Sequence, residues 1–378
     1  MDSVPRWVGI PMIPYNIETL PVAIFFVGNA VVWLIYGLRQ KRVYQTHNFA
    51  NTILTCLLWV VAGLCYPFFY QQDSPSVRFF QFLSNFFIIG VTPILLITIL
   101  YYQKRVVDRT PELKEQRTLE NFLKGYGIDP DSLGKVEYNG NGCYCGEYSF
   151  TTDFKRKLLH LVPALAIVGL WVFATRMWAG VFGLDKVWQI SGEDFGVFLI
   201  LTVGYAGIFV FAALEYVRFS YLFPKGNIFY LLPNNVLNLL CKAMKPREFT
   251  EFIKPPALIL AFVPAFFLPF GLFACVALGA TIGDAAASMF GKKFGKTHWP
   301  KKSPKTIVGY VAGFTTTFLV SLASLWFLSA YTSAQMLILA LVNAVIFFGV
   351  DVINLKVDDN ILNPLFCGLG LALTVLLF

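Results

Sequence analysis

The chain has 378 residues, of which 57% are hydrophobic, 17% aromatic and only 14% charged, with a mean hydropathy of +0.63 and a formal net charge of +8. A soluble globular protein carries about 25% charged residues, so the composition excludes a soluble multidomain chain and indicates a polytopic membrane protein. The positive charge needs no nucleic acid to explain it, because in such chains it follows topology and anionic headgroups.

Apolar runs lie near 17–38, 51–70, 80–102, 158–178, 197–218, 256–270, 271–290, 307–329, 334–354 and 361–378. Most reach the ~20 residues that cross a hydrocarbon core, which predicts an all-α fold with about ten transmembrane helices. The two runs between 256 and 290 are the weakest, since Pro264 and Pro269 interrupt them. The first run reads as a span, not a cleaved leader, because Glu18 stands at its start and Arg39, Lys41 and Arg42 follow it. With this set of spans, loops on one side hold 26 of the 30 Lys and Arg, leaving Arg6, Arg78, Arg176 and Lys186 on the other. The positive-inside rule makes the rich side cytoplasmic and both termini external.

The chain then divides into three N-terminal spans over 1–102, a cytoplasmic segment over 103–155 and a membrane unit over 156–378. In the middle segment, "TPELKEQRTLENFLKGYGI" predicts one short helix from Thr110-Pro111 to Lys124, stopped near Gly125 and Gly127. Cys143 and Cys145 share this segment without a second pair or nearby His to complete a metal site, and Cys56, Cys65, Cys275 and Cys367 fall within spans. Reduced thiols are expected.

"GDAAASMFGKKFGKTHWPKKSPKT", residues 283–306, carries the densest chemistry. Gly291 to Thr297 is one residue short of a phosphate-cradling G-x-x-x-x-G-K-[ST] loop, but that loop needs a β-strand before it, and an apolar helix precedes this one. A pure Gly291-x-x-x-Gly295 packing face is weakened by Lys292 and Lys293 inside it. The third reading is a site for a metal-bound triphosphate. Asp284 lies about two turns before the end of a span, with Ser288 and Gly291 on its helix face, and an intramembrane carboxylate is a functional candidate by default. Lys292, Lys293, Lys296, Lys301, Lys302 and Lys305 follow, opposite in sign to phosphate. The plainer alternative is an ordinary positive-inside loop with Asp284 paired to one lysine. The residues leave these two readings level.

The block from Gly283 to Gly309 resembles the signature of the membrane CTP-dependent lipid kinases, the dolichol, phytol and CTP-dependent diacylglycerol kinases. It is also similar, more distantly, to phosphatidate cytidylyltransferase. Three further segments resemble the kinases: "FKRKLLHL" with Arg156, Lys157 and His160; "LEYVRF" with Glu215 and Arg218, and "REFTE" downstream; and "VDDNILNPLFCG" with Asp358, Asp359, Asn360 and Pro364. The H-G-G-x-x-D-R run of the cytidylyltransferase is absent, and Val308 stands where these families often carry Glu. The resemblance covers roughly 154–378. Asn343 and Asp351 add a polar seam on one face of the preceding span.

The resemblance implies γ-phosphoryl transfer from CTP, with Mg²⁺, to a lipid alcohol, an isoprenoid alcohol ahead of phytol or diacylglycerol. Asp284, Asp358, Asp359 and Lys305 would be catalytic, Asp284 and Asp359 holding the metal. Gly283, Ser288, Gly291, Lys292, Lys293, Gly295, Lys296, Thr306 and Gly309 would bind the nucleotide. Arg156, Lys157, His160, Glu215, Arg218 and Asn360 would be secondary contacts. The expected location is the endoplasmic reticulum membrane in a eukaryote or the cytoplasmic membrane in a prokaryote, with the catalytic loops cytoplasmic. The alternatives are cytidylyl transfer to phosphatidate and, from another class, a transporter using Asp284 and Asp351 in a polar pathway.

Overall fold

A computed structural model describes residues 16–44, 47–70, 74–124, 150–243, 250–300, 305–353, 355 and 357–378. Among them there is no β-strand, only one isolated antiparallel bridge between His298 and Thr306. The fold is an all-α polytopic bundle. Eight helices are long and apolar enough to cross a membrane, and Lys254–Phe267 and Asp359–Val375 are apolar but shorter.

The N-terminal part comprises α1 (Leu20–Val43), α2 (Phe49–Cys65), α3 (Pro75–Phe86) and α4 (Thr92–Arg109), the last two joined through a π-helical turn at Phe87–Val91 into one span. Ser74 caps α3 by accepting from the Val77 N–H, with Pro75 at the first helical position, where its missing donor costs nothing. The single helix expected over 110–124 is instead two, α5 (Glu112–Gln116) and α6 (Leu119–Lys124). The break at Arg117 has a cause on each side of it. The Arg117 side chain turns inward to Asn234 Oδ1 at 3.1 Å, and Thr118 Oγ1 accepts from the Asn121 N–H to start a new helix. Cys143 and Cys145 lie outside the described residues.

Beyond them come α7 (Phe150–Val172), α8 (Leu184–Trp188) and α9 (Gly192–Arg218). Ser191 caps α9, with Glu193 and Asp194 in its first turn, where acids match the helix dipole. After α10 (Asn234–Ala243), the short α11 (Lys254–Phe262) ends at Pro264, one of the two prolines that interrupt this region of sequence. The next span runs unbroken over Phe270–Phe294 as α12 (Phe270–Leu278), a π turn at Gly279–Gly283 and α13 (Asp284–Phe294), and is the most deeply buried of the eight. Around it pack α7 together with α14 (Ile307–Leu328), α15 (Ser333–Ile353) and α16 (Asp359–Val375).

The close fit of α13 to α14 comes from small residues four apart. Gly279, Gly283, Ala287, Gly291 and Gly295 face Gly309, Gly313 and Thr317, with Thr306 at the end. A Cβ on Gly309 would stand 2.8 Å from the Ala287 carbonyl oxygen, and one on Gly283 would fall on Thr317 Oγ1. This is the small-x-x-x-small packing that membranes favour, where close van der Waals contact replaces the hydrophobic effect. The packing role that Lys292 and Lys293 argue against in sequence is therefore present, because those lysines point off the contact and are exposed.

A lysine–carboxylate cluster at one end of the bundle

The helix ends that carry the singled-out residues meet at one end of the bundle. Asp284 follows the π turn directly and pairs with Lys157 of α7, 127 residues away in the chain. Lys305, just before α14, donates to Asp351 at 2.9 Å and lies 3.6 Å from Asp359. Lys254, at the start of α11, lies 3.2 Å from Asp358. Four carboxylates and three ammonium groups thus alternate across five helices. Burial works to lower the pKa of Lys305, but Asp359, Asp351 and Asp284 outweigh it and lift the ammonium above its usual range. It stays a cation throughout the physiological pH range.

The two adjacent aspartates differ. Asp358 caps α16: its Oδ1 accepts from the Asn360 N–H at 3.0 Å and from Asn360 Nδ2 at 2.6 Å, and its own N–H donates to Asn51 of α2 at 2.9 Å. Asp359 lies 3.6 Å from Lys305 and accepts a long contact from Asn360 at 3.4 Å, with its side chain 34% exposed against 12% for Asp358. Asp359 is the more available for chemistry.

Other expected site residues are held differently. Thr306 caps α14, accepting from the Gly309 N–H at 3.2 Å while donating to the Gly291 carbonyl at 3.4 Å. The close approach that Gly283, Gly291, Gly295 and Gly309 allow in this structure is that of two helices. Ser288 is half-buried on α13, and Lys293 lies over the Phe294 ring at 5.3 Å. Lys292, Lys293 and Lys296 are exposed beside the cluster, while Lys301 and Lys302 lie outside the described residues.

Glu215 and Arg218 form an ion pair inside the protein, exposed by 0% and 3%. Glu215 also accepts from the Ile253 N–H at 2.8 Å, and Arg218 donates to the Glu251 carbonyl at 2.6 Å. Arg218, expected as a secondary contact, ties the end of α9 to the segment of chain leading into α11. Losing one partner of such a buried pair costs about 3–5 kcal/mol, because the other charge is left unpaired. Arg156 and His160 are buried beside Lys157, and His160 Nδ1 has no hydrogen-bond partner among the described residues.

Lys254 was not among the expected site residues, and Asp351 was expected only in a polar seam or a transporter pathway, although each stands against its helix dipole. Lys254 opens α11, where the dipole disfavours a cation, and Asp351 sits in the last turns of α15, where it disfavours an anion. A charge placed against its dipole signals a partner elsewhere in the fold. Asn51 gave no such sign.

Among the described residues, no group of three or more His, Cys, Asp or Glu is arranged to hold a metal ion. Magnesium with a nucleotide does not require one, being held by one or two carboxylates together with phosphate oxygens. Asp284 and Asp359, both acting on Lys305, fit that donor set.

Comparison with known proteins adds three findings. The model of the cytidylyltransferase family matches residues 149–352, more than half of the chain, which takes in Lys157, Asp284, Lys305 and Asp351 but stops short of Asp358 and Asp359. Dolichol kinase of Saccharomyces cerevisiae is 32% identical over 162 residues, 42% of this chain and 29% of that protein, so the chain spans under a third of that relative. No solved structure matches. A family match over more than half its length shows that the chain belongs to the cytidylyltransferase family, within which part of it is similar to a dolichol kinase.

Proposed function

We propose that this protein transfers the γ-phosphoryl group of CTP to a lipid alcohol, with an isoprenoid alcohol the favoured acceptor. The observation that carries this reading is the alternation of Lys157, Lys254 and Lys305 with Asp284, Asp351, Asp358 and Asp359 at one end of a membrane bundle. Phosphoryl transfer asks a protein mainly for positioning and charge neutralisation. A triphosphate draws Lys157 and Lys305 toward its oxygens and leaves Asp284 and Asp359 as carboxylates for a divalent cation. That cation, when bound, neutralises charge on the phosphates. The exposed Lys292, Lys293 and Lys296 attract the nucleotide to this end. With Asp359 given to the cation, its neighbour Asp358 accepts the alcohol proton as the oxygen bonds to the γ-phosphorus and the bond to the β-phosphate oxygen breaks, releasing CDP. The preference for CTP rests on family relationship, since no residue named here reads a cytosine.

The matched family's description favours a second reading, cytidylyl transfer to phosphatidate with release of pyrophosphate. The two differ in the phosphorus attacked. Membranes containing the protein are incubated with γ-labelled or α-labelled CTP and a panel of polyprenol, phytol, diacylglycerol and phosphatidic acid. The expected result is lipid-extractable label from the γ position only, with polyprenol the best acceptor. Label from the α position that requires phosphatidic acid would establish the second reading instead.

A further inference from the structure

A cleft with a volume of about 30 Å³ opens between the N-terminal helices and the cluster. One wall is the start of α2, with Asn51, Thr52 and Thr55; another is α11 with Lys254; Asp358 and Trp33 complete it. It has room for a group the size of a water or a hydroxyl, not for a whole ligand. Its chemistry is unlike that of the α13 end. The polar groups from α2 are neutral amide and hydroxyl, the one ammonium in the lining is already faced by the Asp358 carboxylate, and Glu251 adds a second carboxylate. A nucleotide triphosphate or a phosphatidate head would meet no unbalanced positive charge here. A hydroxyl, which both donates and accepts, would meet groups of its own kind.

Asn51 is the informative residue. The Asp358 N–H must find an acceptor, so the amide oxygen of Asn51 faces it, at 2.9 Å. That orientation turns Nδ2 away, and among the described residues Nδ2 has no acceptor. Thr55 Oγ1 donates back to the Asn51 carbonyl at 2.8 Å and Thr52 Oγ1 meets His47 Nε2 at 2.9 Å, so both hydroxyls keep lone pairs for a guest. The indole N–H of Trp33 likewise has no partner among the described residues. Donors without acceptors, in a cleft floored by the residue next to Asp359, describe a seat for an oxygen. Asp359 is one residue from that floor.

We infer that this cleft receives the hydroxyl end of the lipid acceptor, with Asn51 Nδ2 donating to the acceptor oxygen. The N-terminal helices therefore supply half of the acceptor site. The inference rests on the kinase reading above and gives those helices a function. It also favours an alcohol over phosphatidate, because the lining holds two carboxylates against one ammonium and so disfavours an anionic headgroup.

The test uses full-length protein in membranes with polyprenol and γ-labelled CTP. Asn51→Ala removes the donor, and Thr55→Phe fills the cleft. Each is expected to raise the KM for polyprenol by about tenfold while the KM for CTP moves by less than about twofold. In parallel, a polyprenol carrying a diazirine beside its hydroxyl is photolysed with wild-type protein, and label is expected in the peptides spanning 48–57 or 250–262. This second arm decides the matter if either variant fails to fold. An unchanged polyprenol KM in both folded variants, a CTP KM that moves in its place, or photolabel confined to other helices would overturn the inference and leave the kinase reading intact. Wild-type protein that transfers no γ-label to any alcohol would overturn both.

Discussion

Asp284 and Lys157 are joined in the second half of the most buried span, each with a side chain less than a fifth exposed, 16% and 8%. Neither charge is affordable there alone, so the pair is a structural tie as well as a candidate site. The two roles separate by substitution. Asp284→Asn keeps the shape and a hydrogen-bond acceptor for the lysine while removing the charge that would meet a cation. Turnover with γ-labelled CTP is expected to fall by at least ~10²-fold, the scale seen when a principal electrostatic group is lost, with the detergent-solubilised protein still eluting as one symmetric peak. Near-normal turnover would reduce Asp284 to its structural tie. The sequence marked Asp284 because a carboxylate in an apolar run is conspicuous, and Lys305, Asp358 and Asp359 through motif. It left Glu215 and Arg218 ambiguous, because an i, i+3 pair near a helix end looks the same whether it faces water or the interior. Only the chain that returns from Glu251 to Ile253 to cover it decides the difference.

Among the elements, the α13–α14 hairpin fixes the geometry on which the cluster depends. Its small residues recur every four positions, so the contact extends along both helices and holds Lys305 at a set distance from Asp284. The ladder was legible in the sequence only as Gly291-x-x-x-Gly295, because its full length needs Gly279, Gly283 and Ala287 to be seen as one face, and the lysines between the last two glycines obscured it. The span count shows a related limit. Hydropathy located every apolar run, and the two that fall short of the others in length are the region of α11, which stops at a proline, and α16, which begins at the cluster. The hairpin gives a testable coupling. Gly283→Ala sets a methyl on Thr317 Oγ1, and overpacking of this kind costs about 1–3 kcal/mol. Thr317→Ala removes the hydroxyl in the way. The double variant is therefore expected to melt closer to wild type than Gly283→Ala does, in thermal unfolding followed in detergent. Equal losses in the single and double variants would mean that α13 and α14 do not meet at this point.

At the scale of the whole molecule, the two ends of the bundle differ in kind. At one end Arg39 reaches the Leu222 carbonyl at 3.0 Å, Arg117 reaches Asn234, and the three lysines of the cluster meet their carboxylates. At the other, Asn16 donates to Gln81 at 2.8 Å, and Phe79 stacks on Trp188 with ring centroids 6.3 Å apart, aromatic and amide contacts of the sort found at a membrane–water boundary. Basic loops far apart in the chain are thus gathered at the end that holds the candidate site. The proposed use of CTP, a cytoplasmic nucleotide, calls for that end to face the cytoplasm, and the positive-inside rule predicts the same orientation. We expect single cysteines at Lys225 and Lys296, in a background without the seven native cysteines, to react with a membrane-impermeant thiol reagent from the cytoplasmic side only. A cysteine at Lys186 should react only from the opposite side. All three replaced residues are exposed in the structure, so access to the reagent depends on sidedness and not on burial. Labelling of Lys296 and Lys186 positions from the same side would contradict both the charge argument and the separation of the two ends, and with them a cytoplasmic site for CTP.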